Sequence, residues 1–288
     1  MDSSELIRKV RKIEIRTKAL SQQIFSGQYH SAFKGRGMAF SEVRQYHYGD
    51  DVRFIDWNVT ARFNQPYVKI FEEERELTVL LLIDVSGSQF FGTRRQLKTD
   101  LITELAAVLS FSAINNNDKV GVIFFSDKVE KYIPPKKGRS HILRIIRELL
   151  AHRPECTRTD VGEALRFLTN VIKKKCTAFL ISDFLNTQFE QSLKIAANKH
   201  DLIALNIMDK GERVLPDLGL VQLADPETGG FFLADTSHSG VRKGYGEWWK
   251  DHYRRTTDLF KRFGIQYADL YTDSDYIKAL TMLFEKRS

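Results

Sequence analysis

Asp84, Ser86 and Ser88 stand at alternate positions in the stretch Leu77–Ser88, LTVLLLIDVSGS, with Gly87 between the two serines. Carboxylate and hydroxyl oxygens are the donors that a hard divalent cation such as Mg²⁺ takes. Alternate residues of a turn can point the same way, and a glycine between them avoids a side-chain clash. The same residue types also build ordinary turns, so the spacing alone is compatible with either use. Two later stretches each bring one more oxygen ligand to an element end: Thr159-Asp160-Val161-Gly162-Glu163 at a helix start, and Phe179-Leu180-Ile181-Ser182-Asp183 at the close of an apolar run.

The elements that must position these residues are legible from hydrophobic periodicity. The apolar and β-branched run Leu77–Ile83 reads as a strand buried on both faces, and it places Asp84 at its carboxyl end. Helical spacing of Leu97, Leu101, Leu105, Val108 and Leu109 predicts a helix over Arg94–Asn115. Strands are expected at Lys119–Phe125, at Val129–Ile133 ahead of Pro134-Pro135, at Cys176–Ser182, at Asp201–Ile207 and at Ile265–Tyr271. Helices are expected through Leu150, at Asp160–Lys173, at Phe189–Lys199, from Trp248 to Phe263 and at Ser274–Lys286. Such alternation implies an α/β fold with a doubly wound, mostly parallel sheet. Gly211–Ser239 interrupts it, and Leu220–Leu223, DPETGG and Phe231–Leu233 read as an inserted hairpin with an Asp-Pro turn.

The first 76 residues differ in texture. Leu6, Ile7, Val10, Ile13 and Leu20 predict an amphipathic helix packed on its own domain. The glycine- and aromatic-rich stretch after Gly27 predicts a small β subdomain, with the carboxylates Asp50 and Asp51 fixed by neighbouring arginines and lysines. The expected division is therefore 1–76 for the helix and β-rich segment, and 77–288 for the α/β domain with its hairpin at about 212–239.

Two resemblances sharpen this reading. Asp84, Ser86, Ser88, Thr159 and Asp183 together resemble the metal-ion-dependent adhesion site of von Willebrand factor A domains. That resemblance implies Mg²⁺ as cofactor, with Mn²⁺ or Ca²⁺ as alternatives, and one coordination position left for a partner. The run GRGMAFSEVRQYHYGDDVRFIDWNVTAR, followed by PYVKIFEEERELTVLLLIDVSGS, resembles the signature of the domain-of-unknown-function 58 family, which joins such a segment to a von Willebrand A-like domain. Proteins of that kind are typically encoded beside MoxR-type AAA+ ATPases. The resemblance therefore implies an adaptor or co-chaperone role, docking on the ATPase or its substrate through the metal face or through Arg36, Arg44, Arg53 and Arg62. In von Willebrand order the strands ending at Asp84 and Asp183 flank the point where the sheet reverses, so loops distant in sequence converge in one crevice.

Composition bounds the alternatives. The net charge is +7 and 42% of residues are hydrophobic, so acidic partners fit and a sizeable core is available. Basic residues are spread among acids without a long block, which favours a solvated surface over a nucleic-acid patch. No apolar run has the length of a membrane helix, the start MDSSELIRKVRK lacks a signal-type apolar region, and Cys156 and Cys176 form no CxxC pair. A cytoplasmic location is expected. Ser86 stands where a haloacid-dehalogenase-type phosphatase needs its second Asp. Val85-Ser86-Gly87-Ser88 lacks the leading glycine of a hydrolase elbow, and PKKGRS lacks phosphate-loop spacing. The aromatics Trp57, Trp248 and Trp249 are expected to pack rather than stack on bases. The residues thus favour a non-enzymatic metal-dependent interaction module, with a metal-dependent hydrolase and a basic nucleic-acid-binding module as the competing readings.

Overall fold

A computed structural model describes residues 3–25, 39–72, 77–93, 96–186, 188–225, 227 and 229–287. In chain order the elements are α1 (Ser3–Phe25), β1 (Ala39–Gln45), α2 (Trp57–Phe63), β2 (Tyr67–Glu72), β3 (Thr78–Asp84), α3 (Lys98–Asn115), β4 (Lys119–Phe125), β5 (Val129–Lys136), α4 (Arg139–Ala151), α5 (Val161–Val171), β6 (Thr177–Ser182), α6 (Glu190–Lys199), β7 (Asp201–Met208), β8 (Leu220–Ala224), β9 (Phe231–Asp235), α7 (Ser239–Arg262), β10 (Gln266–Tyr271) and α8 (Tyr276–Glu285). Among the described residues no helix is long and apolar enough to cross a membrane.

The expected mixed α/β architecture is the observed one. Six strands form one sheet in the order β10-β7-β6-β3-β4-β5. All pairings are parallel except that of the edge strand β5 with β4. From β3 the chain steps one way to β4 and later returns to β6 on the other side, so the sheet reverses between β3 and β6, whose register includes Ile83 opposite Ile181. Val79 through Ile83 are each 0% exposed, which explains the unbroken apolar run. Leu80 and Leu82 join an apolar cluster with Val161, Leu165 and Leu168 of α5, Leu193 of α6 and Phe260 of α7. Phe179, in register with Leu81, meets Phe284 of α8 edge to face at 6.3 Å between ring centres.

Three expectations about the grouping and bounds of elements are corrected. Helix α1 groups with everything from Thr78 onward rather than with the β-rich segment that follows it. Its Val10 and Ile13 pack on Phe111 of α3 and on Ile142 and Ile146 of α4, and Arg139 donates to Glu14 at 2.5 Å. Strand β5 does not stop before Pro134-Pro135 but runs to Lys136. An edge strand tolerates prolines because one side carries no ladder, and the ladder with β4 slips between Val120 and Val122 to accommodate them. Gly121 lies at that slip. A Cβ there would come within 2.9 Å of the Pro135 nitrogen and 3.0 Å of the Ile133 carbonyl. Helix α7 begins at Ser239, well before Trp248. Its glycines lower helix propensity, but Arg242 donates to the Ser237 carbonyl (2.8 Å) and Tyr245 to the Glu212 carbonyl (2.7 Å), so tertiary anchoring overrides propensity. The hairpin is present as β8 and β9; Pro226 of its expected turn lies outside the described residues.

Residues 39–72 belong to a second compact unit. Strands β1 and β2 pair antiparallel around α2, whose first turn is capped by the Asp56 carboxylate accepting from the Asn58 and Val59 amides. Arg44 grips Asp50 through two bonds of 2.8 Å, and Arg53 donates to Asp51 at 2.6 Å, as the charge-paired reading of this segment requires. Trp57 is 70% exposed and does not pack as expected; it opens α2, a short helix with no buried residue. The glycines and aromatics of 27–38 lie outside the described residues.

Gly121→Ala should lower the urea midpoint by an amount equivalent to about 1–3 kcal/mol, because the added methyl meets backbone atoms rather than a flexible side chain end.

Candidate metal centre

Strand β3 delivers Asp84 to the carboxyl edge of the sheet with 1% of its surface exposed. The chain then turns sharply. The Asp84 Oδ1 accepts from the Ser86 amide (3.0 Å), and the Gly87 amide donates to the Thr157 carbonyl (2.9 Å), tying this loop to the segment that precedes α5. The Ser86 and Ser88 hydroxyls lie 3.2 Å apart, and the Gln89 amide donates to Ser88 Oγ at 3.3 Å. Strand β6 brings Ser182, whose hydroxyl donates to Asp84 Oδ2 at 2.5 Å, and then Asp183. Thr159 precedes Asp160, whose side chain caps α5 by accepting from the Glu163 amide. The Asn186 amide donates to the Thr159 carbonyl at 2.5 Å, linking the loops after β6 and before α5. All five residues expected as ligands are buried at this edge, at 0–6% exposure.

Electrostatics define what the cluster needs. Burial, and after it the repulsion from Asp183, push the Asp84 carboxyl up to about 7. Asp183 receives the Lys98 ammonium at 3.0 Å, but that ammonium is shared with Glu212 at 2.5 Å. Burial works against the charge of Lys98, and Asp183 and Glu212 overcome it, holding the ammonium above its ordinary value. Burial raises Glu212 despite that partner. The lysine therefore balances one of its two carboxylates, and the cluster retains uncompensated negative charge. Gln89 adds a second sign of incompleteness. It is 0% exposed, its amide nitrogen is spent on Ser88, and its Oε1 has no donor among the described residues.

These residues fit a divalent cation. Two carboxylates and three hydroxyls form an all-oxygen donor set of the type Mg²⁺ takes, and the excess negative charge matches its sign. Among the described residues no three histidine, cysteine, aspartate or glutamate side chains gather as metal ligands, so a cation held here would draw on the hydroxyls as well as the two carboxylates.

Several residues of this centre escape sequence reasoning. Lys98 and Glu212 look like surface charges, and only the fold buries them together. Ser182 was adjacent to a named ligand, and its neighbour Phe184 carries another sign. Phe184 has φ +54°, a left-handed conformation uncommon for an aromatic, and is fixed by edge-to-face contact with Phe260 (5.1 Å) and by the His252 ring against its carbonyl (2.9 Å). Glu227, from the turn between β8 and β9, accepts from the Thr159 hydroxyl at 2.9 Å. Of the arginines expected to dock a partner, Arg44 and Arg53 are engaged with Asp50 and Asp51, Arg62 lies exposed in the last turn of α2, and Arg36 lies outside the described residues.

Fold and site together define a mixed α/β protein with a buried oxygen cluster at the reversal of its sheet. A family model described as "Protein of unknown function DUF58" matches residues 42–255, and the chain belongs to that family. The uncharacterized protein Rv1480 of Mycobacterium tuberculosis is 31% identical over 232 residues, covering 80% of this chain and 73% of that protein. Among solved structures, the conserved hypothetical protein BatB from Bacteroides thetaiotaomicron aligns with a TM-score of 0.48 at 16% identity, over 73% of this chain and 98% of that one. The SpRpn10 VWA domain aligns with a TM-score of 0.40 at 9% identity, over 73% and 95% of the two chains.

Lys98→Met should destabilise the protein by about 3–5 kcal/mol, read from urea unfolding, because it strands two buried carboxylates. Asp84 gives a pH test. Its folded value of about 7 lies above the ordinary 3.8, so the folded state keeps a proton that the unfolded chain has lost. In chelator, this contribution to stability is complete below pH 3.8 and disappears as pH rises through 7. Asp84→Asn should remove that decline, and its stability curve should lie above that of the wild type at pH 8.

Proposed function

We propose that the chain is a non-enzymatic, metal-dependent protein-interaction module that captures an acidic side chain of a partner. The observation that carries this reading is the oxygen cluster at the carboxyl edge of β3 and β6, with two buried carboxylates and too little positive charge beside them. Asp84, Ser86, Ser88, Thr159 and Asp183 would hold Mg²⁺, or Mn²⁺ or Ca²⁺ in its place. When bound, such a cation supplies an electrophilic position at which a carboxylate oxygen replaces water. The chain's own residues do the rest. β3 and β6 fix the carboxylates, the Ser182 hydroxyl orients Asp84, and the shared ammonium of Lys98 orients Asp183.

Hydrolytic use of the same cluster is less well supported. Neither the Ser86 nor the Ser88 hydroxyl is bonded to an imidazole among the described residues, and nucleophilic use needs an adjacent base. Family resemblance supports the choice of partner: a cytoplasmic MoxR-type AAA+ ATPase, or the protein that it remodels, with this chain as adaptor.

The test is co-purification of the full chain with the MoxR-type ATPase of its source cell, in Mg²⁺ and in EDTA. Capture in Mg²⁺ that is lost in EDTA, and lost with Asp84→Ala while the variant keeps its circular dichroism spectrum, is the expected result. Capture indifferent to both EDTA and Asp84→Ala would contradict the reading.

A further inference from the structure

One face of α7 lines a cavity of about 470 Å³ that contains none of the oxygen ligands. Arg242, Gly246, Trp249, Lys250 and Tyr253 recur at helical spacing, so they stand on one side of the helix, and the segment that follows β7 lines the cavity with them. Its body is apolar and aromatic, formed by Val214, Leu215 and the rings of Trp249 and Tyr253. A cavity of this size and lining suits a ligand. Gly246 lies inside α7, where glycine costs about 1 kcal/mol relative to alanine. No crowding calls for it, since a Cβ there would meet nothing within 4 Å. On the face that it occupies, a longer side chain would project into the cavity.

The charge that lines the cavity has one sign. Arg213, Arg242 and Lys250 are cations, and no lining residue is an acid. Arg242 is spent on Asp217 (3.2 Å) and on the Thr236 and Ser237 carbonyls, and the Tyr253 hydroxyl donates to Asp269 (2.5 Å). Arg213 and Lys250 have no carboxylate partner among the described residues. The Arg213 guanidinium lies over the rings of Tyr253 (5.1 Å) and Tyr271 (5.4 Å), and its Nη2 donates to Met208 Sδ (2.7 Å). It is therefore held in place without being neutralised. Trp249 adds an unspent donor, because its buried Nε1 has no acceptor among the described residues.

We propose that this cavity binds an acidic peptide of a partner. A bulky apolar side chain packs on Val214, Leu215 and Trp249, and a carboxylate beside it pairs with Arg213 and Lys250. Charge complementarity selects the carboxylate, since a fixed and unpaired guanidinium meets a planar anion with two parallel bonds. The Tyr253 ring already carries Arg213 and Trp249 is 8% exposed, so neither ring is a free stacking surface for a base, and a peptide is favoured over a nucleotide. This contact needs no cation and is independent of the Asp84–Asp183 cluster.

The experiment uses the full chain, ¹⁵N-labelled, in EDTA and again in Mg²⁺. The probes are N-acetylphenylalanine, which sets a carboxylate beside an aromatic side chain, its uncharged amide, and adenosine monophosphate. Binding is read from the indole N–H signals of the three tryptophans, with that of Trp249 identified by its loss in Trp249→Phe. Gly246→Leu fills the cavity and favours the helix, and Lys250→Glu reverses an exposed charge, so both variants are expected to fold. The expected result is a saturable shift of the Trp249 signal by N-acetylphenylalanine in either buffer, with affinity at least fivefold above that of the amide. Both variants should weaken it at least tenfold. No saturable shift, equal affinity for acid and amide, or binding untouched by both variants would overturn the proposal. So would binding that requires Mg²⁺, which would put the carboxylate on the cation, or tighter binding of adenosine monophosphate, which would make the ligand a nucleotide.

Discussion

The structure turns on the confrontation of two buried carboxylates, Asp84 and Asp183, at the ends of adjacent parallel strands. A doubly wound sheet is apolar throughout its length and opens to ligands only where its order reverses. In this chain that opening is lined with acid. The charge cannot be dispersed into solvent, since both residues are at least 95% covered, nor fully balanced by Lys98, which divides its ammonium between Asp183 and Glu212. Burial, and after it the repulsion from Asp183, raise the Asp84 carboxyl. The unfavourable arrangement is maintained by the strong burial of β3 around it, and carboxylates held in this way cluster at functional sites.

The surrounding elements make sense as supports for that pair. Ser182 and the Ser86 amide fix the two oxygens of Asp84. The strap from Thr157 to Thr159 ties the serine loop to the hairpin turn, and Asn186 ties it to the loop after β6. Phe184 sits in a left-handed conformation between Asp183 and the core, clamped by Phe260 and His252, so the backbone that aims Asp183 has little freedom. Helix α1, although far from the site in sequence, buttresses α3, the helix whose first residue is Lys98.

Much of this was legible in the sequence. The run Leu77–Ile83 can only be a strand buried on both faces, and the residues that follow it are small and oxygen-bearing, so the position and the chemistry of the cluster could both be read. What could not be read depends on tertiary contact. Lys98, Glu212 and Glu227 are ordinary charged residues until the fold buries the first and half-buries the other two, and neither periodicity nor spacing marks them. Two boundary differences have the same origin. β5 continues through Pro134-Pro135 because it is an edge strand, and α7 begins in a glycine-rich stretch because Arg242 and Tyr245 anchor it. Trp57 is exposed on α2, which no local pattern of residues 50–63 required.

The central claim is that this oxygen cluster holds a divalent cation. Crystals grown with Mn²⁺, measured at the manganese absorption edge, test it most directly. The account predicts an anomalous peak enclosed by the side-chain oxygens of Asp84, Ser86, Ser88, Thr159 and Asp183. A map with no peak there, or with peaks only at surface carboxylates, would contradict it.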